Sequence, residues 1–191
     1  MQIRPKLLPI PWGICSENAA HRIAVEWDAN GDTVEGVYIP RRDSNSMLNS
    51  LAGDRLFPGI HHYAKFDVNE GGGHYCITMT SGDGDAEVHV SGSVDDKIAS
   101  SSVFSTLDAT SDFFRRGSLG YSDTGMKGRY DGLELRCQNW HVESLQVESI
   151  RSSYFEDKSK FPMSTVEFDC ALLMRNIAHE WHGQPELCCS T

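Results

Sequence analysis

Between Glu35 and Val68 the chain reads EGVYIPRRDSNSMLNSLAGDRLFPGIHHYAKFDV. This is a strand-like run ending in two arginines, a polar turn, a short apolar connection closed by Pro58-Gly59, and a second strand-like run opening on two histidines. Any fold for this chain must bring those two runs, with their cations and imidazoles, to one place. Upstream, RIAVEWD faces TVEGVYIP across Ala-Asn-Gly-Asp, and Asn30-Gly31 supplies the positive backbone dihedrals of a tight reversal, so Arg22 to Pro40 is predicted to be a β-hairpin. Pro40 has no N–H to give to a ladder and holds Ile39 extended, which predicts that the strand stops there and leaves Arg41 and Arg42 at its end.

Beyond the DSNS turn, Met47, Leu48, Leu51 and Leu56 suit a turn or two of helix, broken by Pro58-Gly59. The runs Ile60 to Val68, His74 to Thr80 and Glu87 to Gly92 are joined by NEGGG and SGDGD, which predicts an antiparallel meander. In SSVFSTLDATSDFFRRG the apolar residues Val103, Phe104, Leu107, Phe113 and Phe114 recur at helical spacing. Ser101 or Ser102 suits its N-cap, Arg115 and Arg116 suit the negative end of the dipole, and Gly117 suits its stop. DGLELRC and NWHVESLQVESIR alternate with the period of half-buried strands, with one phase shift that signals a bulge. STVEFDC reads as extended, whereas Leu173, Ile177 and Trp181, four apart, predict a short helix near the C-terminus. Eight or more strands with one long helix predict a mainly β fold, a closed or nearly closed antiparallel barrel whose interior is either packed or a ligand cavity.

The 191 residues suit a single domain spanning 1–191, and 39% hydrophobic with 23% charged residues is ordinary for a folded globular chain. A net charge of −10 repels a phosphate backbone, so nucleic acid is excluded as an expected partner. MQIRPKLLPIPWG carries three prolines and is too short for a signal core or a membrane span, so the expectation is a cytoplasmic protein with no membrane partner. Cys15, Cys76, Cys137, Cys170, Cys188 and Cys189 form no C-x-x-C pair and are expected to be reduced.

Arg41, Arg42, Arg55, His61 and His62 are the chemistry-bearing cluster. Successive strand residues point to opposite faces, so only one of His61 and His62 looks inward, and the two arginines divide less strictly. An inward guanidinium beside an inward imidazole makes a site for a carboxylate or enolate, with the histidine able to exchange a proton near neutral pH. The competing expectation is that the arginines pair with Asp43, Asp54 or other surface acids. His179 and His182 share a face only if they lie on a helix, and no third metal ligand accompanies them, so no metal is expected. There is no nucleophile elbow, P-loop or dinucleotide fingerprint, and no cofactor is expected. Asp83, Asp85, Asp95 and Asp96 lack the spacing of a calcium loop and read as turn residues.

The segments GVYIPRRDSNSMLNSLAGDRLFPGIHH, FFRRGSLGYS, DGLELR and FDCALLMRNIAHEWHG resemble an uncharacterised bacterial family grouped with the acetoacetate decarboxylase-like superfamily. The resemblance implies a mainly antiparallel, cone-like barrel with one long helix and short extra helices around a small-molecule cavity. In those decarboxylases a lysine in a Gly-Tyr-Pro-Lys-Lys run forms a Schiff base with a keto acid. Here the matching run is Gly120-Tyr121-Ser122-Asp123-Thr124, which keeps Tyr121 as a candidate ligand contact and lacks both lysines. Their acidic partner is also missing, because Phe57-Pro58 is followed by Gly59. Lys65 and Lys127, the lysines nearest strands, are the candidates for a substitute nucleophile. The expected function is binding of a small anionic ligand, carboxylate or keto-acid-like, by Arg41 or Arg42 with His61 or His62 lining the pocket. One alternative is a lysine-free lyase, isomerase or cyclase using the same groups for acid–base chemistry, and another is a structural or partner-binding domain with a filled interior.

Overall fold

The computed structural model describes residues 2–3, 14–29, 31–46 and 59–189, with side chains from residue 16 onward. The segment 47–58, with the expected short helix and Arg55, lies outside them. The strands are β1 (Gln2–Ile3), β2 (Ile14–Cys15), β3 (Asn18–Ala29), β4 (Asp32–Ser44), β5 (His61–Gly71), β6 (His74–Ser81) and β7 (Glu87–Asp95). After helix α1 (Leu107–Arg116) come β8 (Leu119–Asp123), β9 (Arg129–Cys137), β10 (Glu143–Ser152), helix α2 (Ser153–Glu156), β11 (Ala171–Leu173) and β12 (His179–Cys188).

The fold is mainly β, but the sheet is open and mixed where a closed antiparallel barrel was expected. Ten strands run in the order β11-β10-β7-β6-β5-β4-β8-β9-β12, with β3 paired to β4 off that path, while β1 and β2 form a separate pair. Two junctions are parallel, and both use β4. Arg42 to Ser44 pair with His61 to Tyr63 of β5, and Val37 to Ile39 pair with Gly120 to Ser122 of β8. Because β3 runs antiparallel along the opposite edge, from Ala29 against Asp32 to Asn18 against Ser44, β5 and β8 must share one edge of β4 end to end. Two half-sheets therefore diverge from a single strand.

The hairpin of β3 and β4 turns at Gly31, whose φ of +92° suits glycine. Its second strand does not stop at Pro40. Ile23 faces Tyr38 while His21 faces Arg41, so β4 advances three residues against two of β3. A bulge absorbs the extra residue at the point where proline cannot donate, and the strand continues to Ser44. Proline sits at a bulge again in β12, where the register against β9 slips between Gln184 and Leu187, around Pro185. The expected C-terminal helix is therefore a strand. Gly183 and Pro185 break helical continuation, and pairing with β9 takes the backbone instead. The phase shift expected in NWHVESLQVESIR is present as a register slip between Val147 and Ser149.

The meander β5-β6-β7 is antiparallel as expected. Its core is Ala64, Met79 and Ala86, with Ala19, Phe66 and Val88 packed around them. Helix α1 starts later than the sequence suggests. Asp169 accepts the Ser102 hydroxyl and the Val103 N–H, which engages the expected cap, and Thr106 caps instead by accepting from the Ala109 N–H at 3.1 Å. Gly117 ends the helix and sits against β4: a Cβ there would lie 3.2 Å from Val37 Cγ1. No helix among the described residues is long and apolar enough to cross a membrane.

Candidate functional site

The two parallel junctions meet at the end of β4, and the candidate residues divide there between its two faces. Residues opposite each other in a ladder point to the same side of the sheet. Arg41 faces His21, and Asp43 faces His62, so these four share one side. Arg42 faces both Ala20 and His61, so Arg42 and His61 share the other. One arginine and one histidine of the cluster thus go to each face.

On the first face the charges are mutually satisfied. Arg41 Nε donates to Asp43 Oδ2 at 2.9 Å, and its Nη2 donates to Asp43 Oδ1 at 2.8 Å and to both Asp83 oxygens at 2.9 Å. The same Nη2 also donates to Ser81 Oγ, and His62 Nδ1 reaches Asp83 Oδ2 at 2.8 Å. Arg41 is 7% exposed and Asp43 fully buried. Burial opposes Arg41's charge, yet the hydrogen bonds it donates to Asp43 and Asp83 outweigh it and raise its pKa. Burial likewise pushes Asp83 upward, but the Ser81 hydroxyl, the Asp85 N–H and Arg41 hold its carboxyl well below the usual range. Asp83 is an exposed turn residue, as expected, and from there also serves as an ion-pair partner of Arg41. Beside this network His21 is 5% exposed, its ring 4.3 Å from that of Tyr154 and 5.5 Å from Phe155. Both its ring nitrogens are buried without a hydrogen bond. Burial lowers its pKa; Asp43 acts the other way, and Arg41 and Lys160 reinforce the fall.

The second face differs. Arg42 Nε donates to Ser122 Oγ at 3.0 Å, while its Nη2 is buried with no hydrogen-bond partner. No carboxylate among the described residues forms an ion pair with it. Burial, and then the like charge of Arg22, push its pKa down to about 10, so it stays cationic at neutral pH. His61, whose ring nitrogens are buried, stands next to it in the ladder. Gly59 closes the interval between β5 and β8. Its φ is +92°, and a Cβ there would fall 2.5 Å from Ser122 Cβ, so only glycine fits.

Tyr121, the neighbour of Ser122, points to the opposite face from it: its ring packs edge-on against Trp27 at 5.5 Å, and a Cβ on Gly132 would lie 2.8 Å from its Cε1. Its phenol pKa is raised by burial. Lys65 and Lys127 are exposed. His179 and His182 lie on β12, where a three-residue spacing puts them on opposite faces, and they bond the Ile177 carbonyl at 2.9 Å and Glu180 at 3.0 Å. Among the described residues no group of three His, Cys, Asp or Glu side chains is placed to hold a metal. The cysteines described with side chains are free thiols, with Cys170 pushed up to about 11 by burial and by Asp169. Ser122, Arg22, His21 and Asp83 were not among the sequence candidates. Ser122 was within reach, since it follows Tyr121 in the run that replaces the lysine motif. No protein-family model matches the chain, and no curated protein matches it at a significant level.

Proposed function

We propose that this protein binds a small organic anion, carboxylate or keto-acid-like, at Arg42, with Ser122 fixing the guanidinium and His61 beside it. The observation that carries the reading is the buried Arg42 Nη2, a donor on a cation for which no described acid provides an ion pair. An uncompensated buried charge is costly, and a carboxylate oxygen at Nη2 supplies both the missing acceptor and the counter-charge. The resemblance to acetoacetate decarboxylase-like proteins supports the same ligand class and a cone-like shell. Imine chemistry is left out of the proposal, because Asp123 and Thr124 stand where that family has its two lysines.

Calorimetric titration with acetate, pyruvate and phosphate tests it. Arg42→Gln is expected to weaken carboxylate binding roughly tenfold or more, the range of one charge-assisted hydrogen bond. His62→Gln, on the other face, is expected to leave it unchanged. Equal binding by wild type and Arg42→Gln overturns the reading. The ladder pairing of Arg42 with His61 favours a second reading, lysine-free enolisation with His61 as the base. Its signature is exchange of pyruvate methyl protons for deuterium, seen by NMR and lost in His61→Gln; no exchange above buffer excludes it.

A further inference from the structure

The face that carries Arg42 continues along the hairpin into an open groove of about 420 Å³ between β3, β4 and the C-terminal end of α1. That volume is within the range of small-molecule sites. Ladder pairing fixes the continuity: Ala24 faces Val37 and Ala20 faces Arg42, so the Arg22 and Ala24 side of β3 is the Arg42 side of the sheet. The groove walls are apolar at Val37, Phe113 and Phe114, the last two 38% and 46% exposed.

The charges along the groove are ordered. At one end Glu26 stands directly opposite Glu35, and Arg116 Nε lies 3.7 Å from Glu35 Oε2, leaving that end net acidic. At the other end is Arg22, which has no ion-pair partner among the described residues and whose charge acts on Arg42. Two carboxylates against the one arginine at the far end disfavour an anionic head there, while Arg22 at the near end draws it in. An apolar body then lies over Val37 and under the phenylalanines.

We propose that the groove receives the body of an amphipathic monocarboxylate, its carboxylate drawn to Arg22 on the Arg42 side of the sheet and its hydrocarbon along α1. This rests on the anion site at Arg42 and names the class of molecule it takes. An aliphatic chain and a carboxylate are the two requirements, so decanoate, acetate and decanol separate them. Each methylene buried contributes roughly a fourfold gain in affinity, so with about three or four of its methylenes buried in the open groove decanoate is expected to bind on the order of a hundredfold tighter than acetate.

The experiment is displacement of a fluorescent apolar probe, 8-anilinonaphthalene-1-sulfonate, together with direct calorimetry on the full chain. Phe114→Ser is expected to remove most of the decanoate advantage and leave acetate binding as it was. Arg22→Gln is expected to weaken decanoate roughly tenfold. Phe114 is exposed, so its variant is expected to fold, and circular dichroism checks this. Decanoate binding no tighter than acetate overturns the groove while leaving the anion site standing. Decanol binding as tightly as decanoate also overturns it, since the cations then select nothing. If neither acetate nor decanoate binds, the anion site itself is refuted.

Discussion

The two faces of the end of β4 carry nearly the same inventory, an arginine, a histidine and a serine, arranged to opposite effect. On one face Arg41 is enclosed by Asp43, Asp83 and Ser81, and His62 joins the same carboxylate. On the other, Arg42 has a serine, an adjacent histidine and an unused buried donor. A buried ion pair that is complete is a structural element, whereas a buried cation with a spare donor is the feature on which the proposed anion site rests. Residue type does not separate them. The placement of the acids does.

The largest effect that tests this contrast is expected from Arg41→Met. It strands the fully buried Asp43 and is expected to cost about 3–5 kcal/mol, read as a lower midpoint in urea. Arg42→Met, which removes a charge lacking an ion-pair partner among the described residues, is expected to leave stability unchanged or raise it while carboxylate binding disappears. If both variants lose several kcal/mol, the contrast between the faces fails. Next in size is Ser122→Ala, which takes the acceptor from Arg42 Nε and is expected to cost about 1.5–3 kcal/mol, the range for hydrogen bonds to charged groups. Because Ser122 does not occupy Nη2, this variant is expected to keep most of its carboxylate affinity.

The smallest effect is a dependence on pH. His21 is held neutral by burial, with its pKa below the ordinary 6.5, so in the window beneath 6.5 the unfolded chain binds a proton that the folded chain refuses. Stability from this group is therefore complete above pH 6.5 and declines as pH falls through that value toward the folded pKa. Urea midpoints between pH 7.5 and 5.5 are expected to fall in the wild type and to flatten in His21→Phe, which keeps the stack on Tyr154. An equal slope in both assigns the dependence to other groups.

The sequence reading located the strands because their signals are local. Gly31, NEGGG and SGDGD mark reversals by backbone chemistry, and alternation marks the runs between them. The cluster of Arg41, Arg42, His61 and His62 was legible for the same reason. What escaped was set by non-local pairing. The parallel junctions of β4 with β5 and β8 leave no mark in either strand, so an antiparallel closure was the natural extrapolation from the hairpins. A strict ladder from Gly31 would set Arg41 opposite Ala20, and the bulge beside Pro40 moves Arg42 there instead. Since His61 follows Arg42 through the parallel junction, that single extra residue decides which arginine is enclosed and which is left open. Asp83 was invisible as a partner because it lies in the β6–β7 turn, forty-two residues from Arg41. Leu173, Ile177 and Trp181 have the spacing of a helix face, yet Ala171–Leu173 and His179–Cys188 are strands, because pairing with β10 and β9 takes their backbone.

The attachment of both half-sheets to one edge of β4 has a mechanical consequence. The backbone from Val37 to Ser44 is a shared spine, and loosening it disengages β5 and β8 together. Amide hydrogens of this spine are therefore expected to be among the slowest in the chain to exchange with solvent. A molecule seated at Arg42, where Ser122 belongs to one half and His61 to the other, would act as a clasp across the split and slow that exchange further.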